Sequence, residues 1–199
     1  MDEMATDGSP SQEVAEYVAT LTFDDLPEEV LHMIERAFVD TVGVTLAGLA
    51  EGAGEVAVEA ADLMSGDSEK ARIFGTSTTT TLLEAAFVNG TAAHGLDFDD
   101  VSYETGTHPS AVLVPTIFAV ADDRGDVSGK EATAAYVAGY RTQSYVFDFV
   151  SPSHIEKGWH ATGTIGTFGA ATAAAYLLDL DVDEIKNAVN IAVSLTAGN

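Results

Sequence analysis

The chain has 199 residues, of which 46% are hydrophobic and none is cysteine, so it can bury a core but has no disulfide, thiolate zinc site or cysteine nucleophile. Thirty-two acidic residues against eight basic ones give a formal net charge of -24, which sets the chain against nucleic acid and anionic membranes as partners. No apolar run reaches the ~18 residues that cross a bilayer, and the acidic start MDEMATDGSPSQ is neither a signal nor a transit peptide, so a cytoplasmic protein is expected.

A mean hydropathy of +0.13 and periodic apolar residues favour a folded chain over disorder. The charge excess reads as a surface adapted to high salt, where self-repulsion is screened. Residues 1–8 are expected to form a flexible acidic tail. Ser9, Pro10 and Gln12 then supply an N-cap, a first-turn proline and an N3 partner for a helix to about Leu21. Pro27, with Glu28 and Glu29 complementing the helix dipole, opens a second helix bearing the stripe Leu31, Ile34, Phe38. Its second half, Thr41 to Leu49, is apolar on every side and is expected to be buried all round.

A third helix spans Gly54 to Met64 and stops at Ser65-Gly66-Asp67. Ala71 to Phe74 is the one expected strand. Thr78 to Thr81 either extends it or, the preferred reading, leads back into a helix through LLEAAFVNG, with Asn89-Gly90 near its exit. Pro109 begins a helix to about Ala121, capped by Thr107 or His108. Ser128 with Glu131 boxes a long helix to about Phe149, Ser151-Pro152-Ser153 breaks the chain, a helix follows from Thr162 to about Leu178, and Asp181 with Glu184 boxes the last one. The fold class is all-α, a multi-helix bundle over 9–199 with at most one short strand, without repeat or linker.

The chemistry concentrates in NGTAAHGLDFDDVSYETGTHPS, Asn89 to Ser110, which sets two histidines, three aspartates and a glutamate between apolar segments. Polar groups that dense near a core must be paired or used. Asp97, Asp99 and Asp100 alone read as a solvated acidic turn, because the calcium-loop register of glycine and closing glutamate is missing. His94 and Asp97 are neighbours if the helix persists: Asp97 then orients the imidazole or acts as a base, or else merely caps the helix end. His108, beside a helix N-terminus, suits proton transfer next to a bound anion, or simply caps that helix.

A third cluster, Lys157-Gly158-Trp159-His160-Ala161-Thr162-Gly163, joins Arg141 and His154 in holding several of the scarce basic residues. Such a cluster fits an anionic substrate or neutralises a surface. Gly163, Gly166 and Gly169 then recur at helical spacing, a pattern for close helix approach. GxGxxG, GxxxxGK, GxSxG and HExxH are absent, so phosphate-loop, serine-hydrolase and metalloprotease readings fall away.

DTVGVTLAG at Asp40 to Gly48, NGTAAHGLDFDD at Asn89 to Asp100, THPSAVLVP at Thr107 to Pro115, GWHATGTIGTFGAATAAAYLLDL at Gly158 to Leu180 and NAVNIAVSLTAG at Asn187 to Gly198 together resemble the MmgE/PrpD family, which includes 2-methylcitrate dehydratase and cis-aconitate decarboxylase. The resemblance implies a cofactor-independent lyase without a metal, acting on a small di- or tricarboxylate and usually dimeric. Asp97 corresponds to the first aspartate of the family's DFDD motif, His108 to the histidine of HPS, and His160 to the histidine leading into the Gly-rich helix. Val101 stands where the decarboxylase branch carries a threonine, which counts against decarboxylation of cis-aconitate. Arg141 replaces a commonly acidic residue.

The expected roles are His108 and Asp97 as catalytic groups, with His160, Lys157, Thr162 and His94 holding substrate. Family chains continue into a lysine-bearing segment and a lid domain that have no counterpart here. The chain is therefore expected to be a truncated or split enzyme, to act as a homo-oligomer, or to associate with the missing half. The alternatives are a non-catalytic helical remnant and a dicarboxylate epimerase, isomerase or decarboxylase.

Overall fold

The computed structural model describes residues 8–64 and 70–196. The expected tail, apart from Gly8, and the Ser65-Gly66-Asp67 stop lie outside them. The helices run α1 Pro10–Thr20, α2 Glu28–Leu49, α3 Gly52–Met64, α4 Leu82–His94, α5 Pro109–Arg124, α6 Gly129–Val150, α7 Ser153–Glu156, α8 Ala161–Leu177 and α9 Val182–Leu195, with a 3-10 turn at Phe23–Asp25. The domain is all-α. Two two-residue strands, β1 Ala71–Arg72 and β2 Thr79–Thr80, pair antiparallel as a small hairpin.

Local chemistry explains most boundaries. Ser128 and Glu131, and Asp181 and Glu184, form reciprocal capping boxes at the starts of α6 and α9. A third box, Thr81 with Glu84, starts α4, so the threonine run divides: Thr79 and Thr80 pair with β1 and Thr81 caps the next helix. The expected box at Ser9 does not form. Gln12 bonds Glu16 at 2.8 Å instead, and Pro10 alone sets the start.

α5, α6 and α8 form the centre. Leu113, Val114 and Ile117 of α5 pack with Ala135 to Val137 of α6, with Ala173 and Leu177 of α8, and with Ile34 of α2. Gly139 and Gly169 let α6 and α8 touch: a Cβ on Gly139 would lie 2.8 Å from the Gly169 carbonyl oxygen. On one flank α1 and α9 bury Val14, Ala15, Val18, Ile185 and Val189. On the other, α3 and α4 pack Ala57, Ala61 and Val88 around Ile73.

The second half of α2 is not buried all round. Thr41, Thr45 and Gly48 face inward, while Leu46 is 45% exposed and Val39, just ahead of this half, is 76% exposed. The helix lies on the outside of the bundle, so only one stripe meets neighbours. Asn89 does not end α4; buried within it, the side chain accepts from Phe74 N–H at 3.0 Å and donates to the Arg72 carbonyl at 2.9 Å, fastening the hairpin to the helix. Among the described residues no single helix is long and apolar enough to cross a membrane; α2 with α3 passes only as a pair bent by 83°.

Candidate active site

Three chain segments meet where α4 ends, α5 begins and α8 begins. His94 is the last residue of α4, His108 the N-cap of α5 and His160 the N-cap of α8. The loop between α4 and α5 is tied to α6. Ser102 and Thr107 form a backbone bridge, Ser102 Oγ lies 2.8 Å from the Tyr140 hydroxyl, and Thr107 Oγ1 donates to Gln143 Oε1 at 2.8 Å. His108 N–H donates to Thr162 Oγ1 at 3.0 Å, which joins the starts of α5 and α8.

At the centre sits Asp99, whose side chain is 0% exposed. Its Oδ2 lies 2.8 Å from His94 Nδ1 and its Oδ1 lies 3.2 Å from His108 Nδ1. On the outer side, His94 Nε2 is 3.2 Å from His160 Nε2, and His108 Nε2 is 3.8 Å from Asp97 Oδ1. The rings of His94 and His108 meet edge to face at 4.8 Å. The Asp99 hydrogen bond, aided by the Asp99 and Asp97 charges, raises the pKa of His94 above the ordinary imidazole value against the opposing pull of burial.

The expected partnership of His94 with Asp97 is replaced by one with Asp99. The helix stops at His94, and Asp97, with φ of 55°, turns its 82%-exposed side chain toward His108. Asp99 is thus no solvated turn residue but the hub of the cluster. Asp100 is structural as well. It accepts from Ser110 N–H at 3.1 Å and from Ser110 Oγ at 2.6 Å, so a carboxylate of the protein itself engages the first turn of α5. Burial raises the pKa of Asp100 and, strongly, that of Tyr136, whose hydroxyl lies 2.7 Å from Ser110 Oγ.

Capping by imidazole occurs at His160, not His108: His160 Nδ1 accepts from Gly163 N–H at 3.1 Å, while His108 makes no side-chain cap bond. Thr162 is buried, and its hydroxyl oxygen receives His108 N–H. Lys157, exposed at the end of α7, adds no hydrogen bond or ion pair to the cluster among the described residues. Arg141 lies apart, beside the Tyr17 hydroxyl, where its charge and hydrogen bond work against the burial that raises the pKa of Tyr17. Trp159 stacks on His154 at 5.9 Å and 12°, and His154 Nε2 lies 2.6 Å from Thr164 Oγ1.

An open cleft of about 560 Å³ lies beside the cluster, lined by Ala53, Phe87, Gly90, His94, His160 and Thr162 among others, a size that suits a small ligand. His94, Asp97, Asp99 and His108 also offer one nitrogen or oxygen each within 4.8 Å of one another. A divalent cation could use such donors, yet the Nδ1 atoms and Asp99 already face each other.

The family model for the MmgE/PrpD N-terminal domain matches residues 12–199. Over 200 residues the chain is 26% identical to a cis-aconitate decarboxylase of Mus musculus and 27% identical to that of Homo sapiens, each alignment covering 94% of this chain and 39% of the relative. A cis-aconitate decarboxylase-like protein oryM of Aspergillus oryzae is 27% identical over 199 residues, which cover 96% of this chain and 41% of that protein. The chain spans about two fifths of the length of these curated relatives.

Proposed function

The chain belongs to the MmgE/PrpD family, and on that premise we propose that it supplies the imidazole-bearing part of a cofactor-independent lyase active site for a small di- or tricarboxylate. The observation that carries this reading is the meeting of His94 and His108 on one buried carboxylate, with His160 set against His94, beside a cleft. The reaction is of the 2-methylcitrate dehydratase type. His108 Nε2 takes the proton from the carbon next to a substrate carboxylate, and the hydroxyl on the adjacent carbon leaves as water with a proton from an acid of the site. The imidazolium formed at His108 lies between Asp99 and Asp97, which stabilise it. His160 and His94 rim the cleft and, with their ring nitrogens engaged by Asp99, Gly163 and each other, form a fixed wall for the substrate.

The relatives' name supports a second reading, loss of carbon dioxide from cis-aconitate. Val101, in place of the threonine of the decarboxylase branch, favours the dehydratase. A third, a non-catalytic helical unit that needs a partner chain, is favoured by the exposed Ile191, Val193 and Leu195 of α9. Turnover of 2-methylcitrate and of cis-aconitate, measured for the chain alone and mixed with a polypeptide carrying the rest of the family sequence, separates the three. Activity on either acid is expected in at least one setting; none in both supports the partner-dependent, non-catalytic unit. In the active setting His108→Ala should lower turnover roughly 10²-fold or more, and near-normal turnover would remove His108 from the reaction.

A further inference from the structure

We propose that Asp99 is a positioning residue which fixes where the protons sit on His94 and His108, and so leaves His108 Nε2 as the open imidazole lone pair of this cluster. Matching donors to acceptors leads to this pattern. A carboxylate only accepts hydrogen bonds, so an imidazole nitrogen facing it must carry the hydrogen. His94 Nδ1 faces Asp99 Oδ2 at 2.8 Å and His108 Nδ1 faces Asp99 Oδ1 at 3.2 Å. The second pair is buried and slightly misaligned for a hydrogen bond, and neither atom has another hydrogen-bond partner among the described residues. Lone pair against lone pair there would leave two buried groups unsatisfied, so the hydrogen belongs on His108 Nδ1 and a small ring rotation aligns it.

A neutral imidazole has one N–H, so His94 Nε2 and His108 Nε2 both carry lone pairs. His160 gives an independent check. Its Nδ1 accepts from Gly163 N–H, which places its hydrogen on Nε2, 3.2 Å from His94 Nε2. That contact needs one hydrogen, and the two separate assignments provide one: His160 donates and His94 accepts. Turning either imidazole over breaks the match. His94 is therefore closed by His160, and His160 is closed by Gly163 and His94. Among the described residues His108 Nε2 makes no hydrogen bond; its ion-pair neighbour, Asp97 Oδ1, is 3.8 Å away, beyond hydrogen-bond range. One buried carboxylate thus orients two imidazoles, as the aspartate of a catalytic triad orients one.

The catalytic consequence rests on the lyase reading above; the proton pattern does not. The test is the imidazole nitrogen spectrum of the ¹⁵N-histidine-labelled chain, on the alkaline side of the histidine titrations, with exposed His32 as internal reference. His94 and His108 should show the Nδ1–H form and His160 the Nε2–H form. An amide at position 99 offers one donor side and one acceptor side, so Asp99→Asn should switch one of His94 and His108 to Nε2–H, while Asp97→Asn leaves both unchanged. Nε2–H at His108 in the parent chain overturns the proposal without any variant, as does an unchanged pattern in folded Asp99→Asn. In an active assembly Asp99→Asn should lower kcat roughly 10²-fold or more with little change in KM, and Asp99→Glu should restore part of it. Loss of KM alone would contradict the role. If the spectra agree but His108→Ala turns over normally, the lyase reading fails and the proton pattern stands.

Discussion

Gly48 and Gly43 lie on the same helix and should respond in opposite directions to the same substitution. A Cβ at Gly48 would sit 1.9 Å from the carbonyl oxygen of Ala92 on α4 and 2.8 Å from its carbon. Ordinary carbon–oxygen contacts begin near ~3.3 Å, so the new methyl is roughly 1.4 Å too close, and the obstacle is backbone that no rotamer change can move. Overpacking of this kind costs up to about 3 kcal/mol, and the helix preference of alanine over glycine returns about 1 kcal/mol. Gly48→Ala should therefore lose about 2 kcal/mol, which for a chain this long lowers Tm by roughly 4–8 °C. Nothing lies within 4 Å of a Cβ at Gly43. Gly43→Ala keeps the propensity gain of about 1 kcal/mol and should raise Tm by roughly 2–4 °C. Thermal unfolding followed by circular dichroism, with both variants in the same salt, reads the difference. Equal shifts, or a Gly48→Ala protein as stable as its parent, would refute the close approach of α2 and α4. Because Ala92 precedes His94 by two residues, the same substitution should also disturb the histidine signals.

Ser128→Ala breaks a formed capping box and should cost about 1 kcal/mol in a urea titration, whereas Ser9→Ala, which removes no cap bond, should cost little; equal costs would contradict the two assignments. The pKa of His94 is raised in the folded chain, so its pairing with Asp99 contributes fully below the unfolded value near ~6.5 and is lost as pH rises through the folded value. Urea midpoints should therefore fall across that alkaline window in the parent and fall less in His94→Gln; matching slopes would refute the assignment. With a net charge of -24, the chain should keep its helical signal in molar salt, where the Debye length is about 3 Å, and lose stability on dialysis to about 0.01 M, where it is about 30 Å. A midpoint indifferent to salt would argue against a salt-adapted surface.

Local signals are readable in the residues because their causes are local. Pairs such as Ser128–Glu131 and Asp181–Glu184 act over three residues, and both boxes form where the spacing predicts. Thr81 is less legible because a threonine run satisfies strand and cap chemistry equally, and pairing with Ala71 and Arg72 decides the division. The exposure of Leu46 depends on which side of α2 meets α4, a fact absent from the helix's own composition. In the site, the histidines and the first aspartate are visible as motif residues. Asp99 is not, since Asp97, Asp99 and Asp100 have the same chemistry in sequence. Only the turn at Asp97 and the packing against His94 and His108 give one burial, one exposure and one helix cap. The closure of His160 on His94 spans 66 positions and carries no local signature.

The lone tryptophan, Trp159, directly precedes His160 and lies flat against His154. The chain therefore contains its own optical reporter directly before the N-cap of α8. Its emission should report a change of packing at the start of α8 without any attached dye.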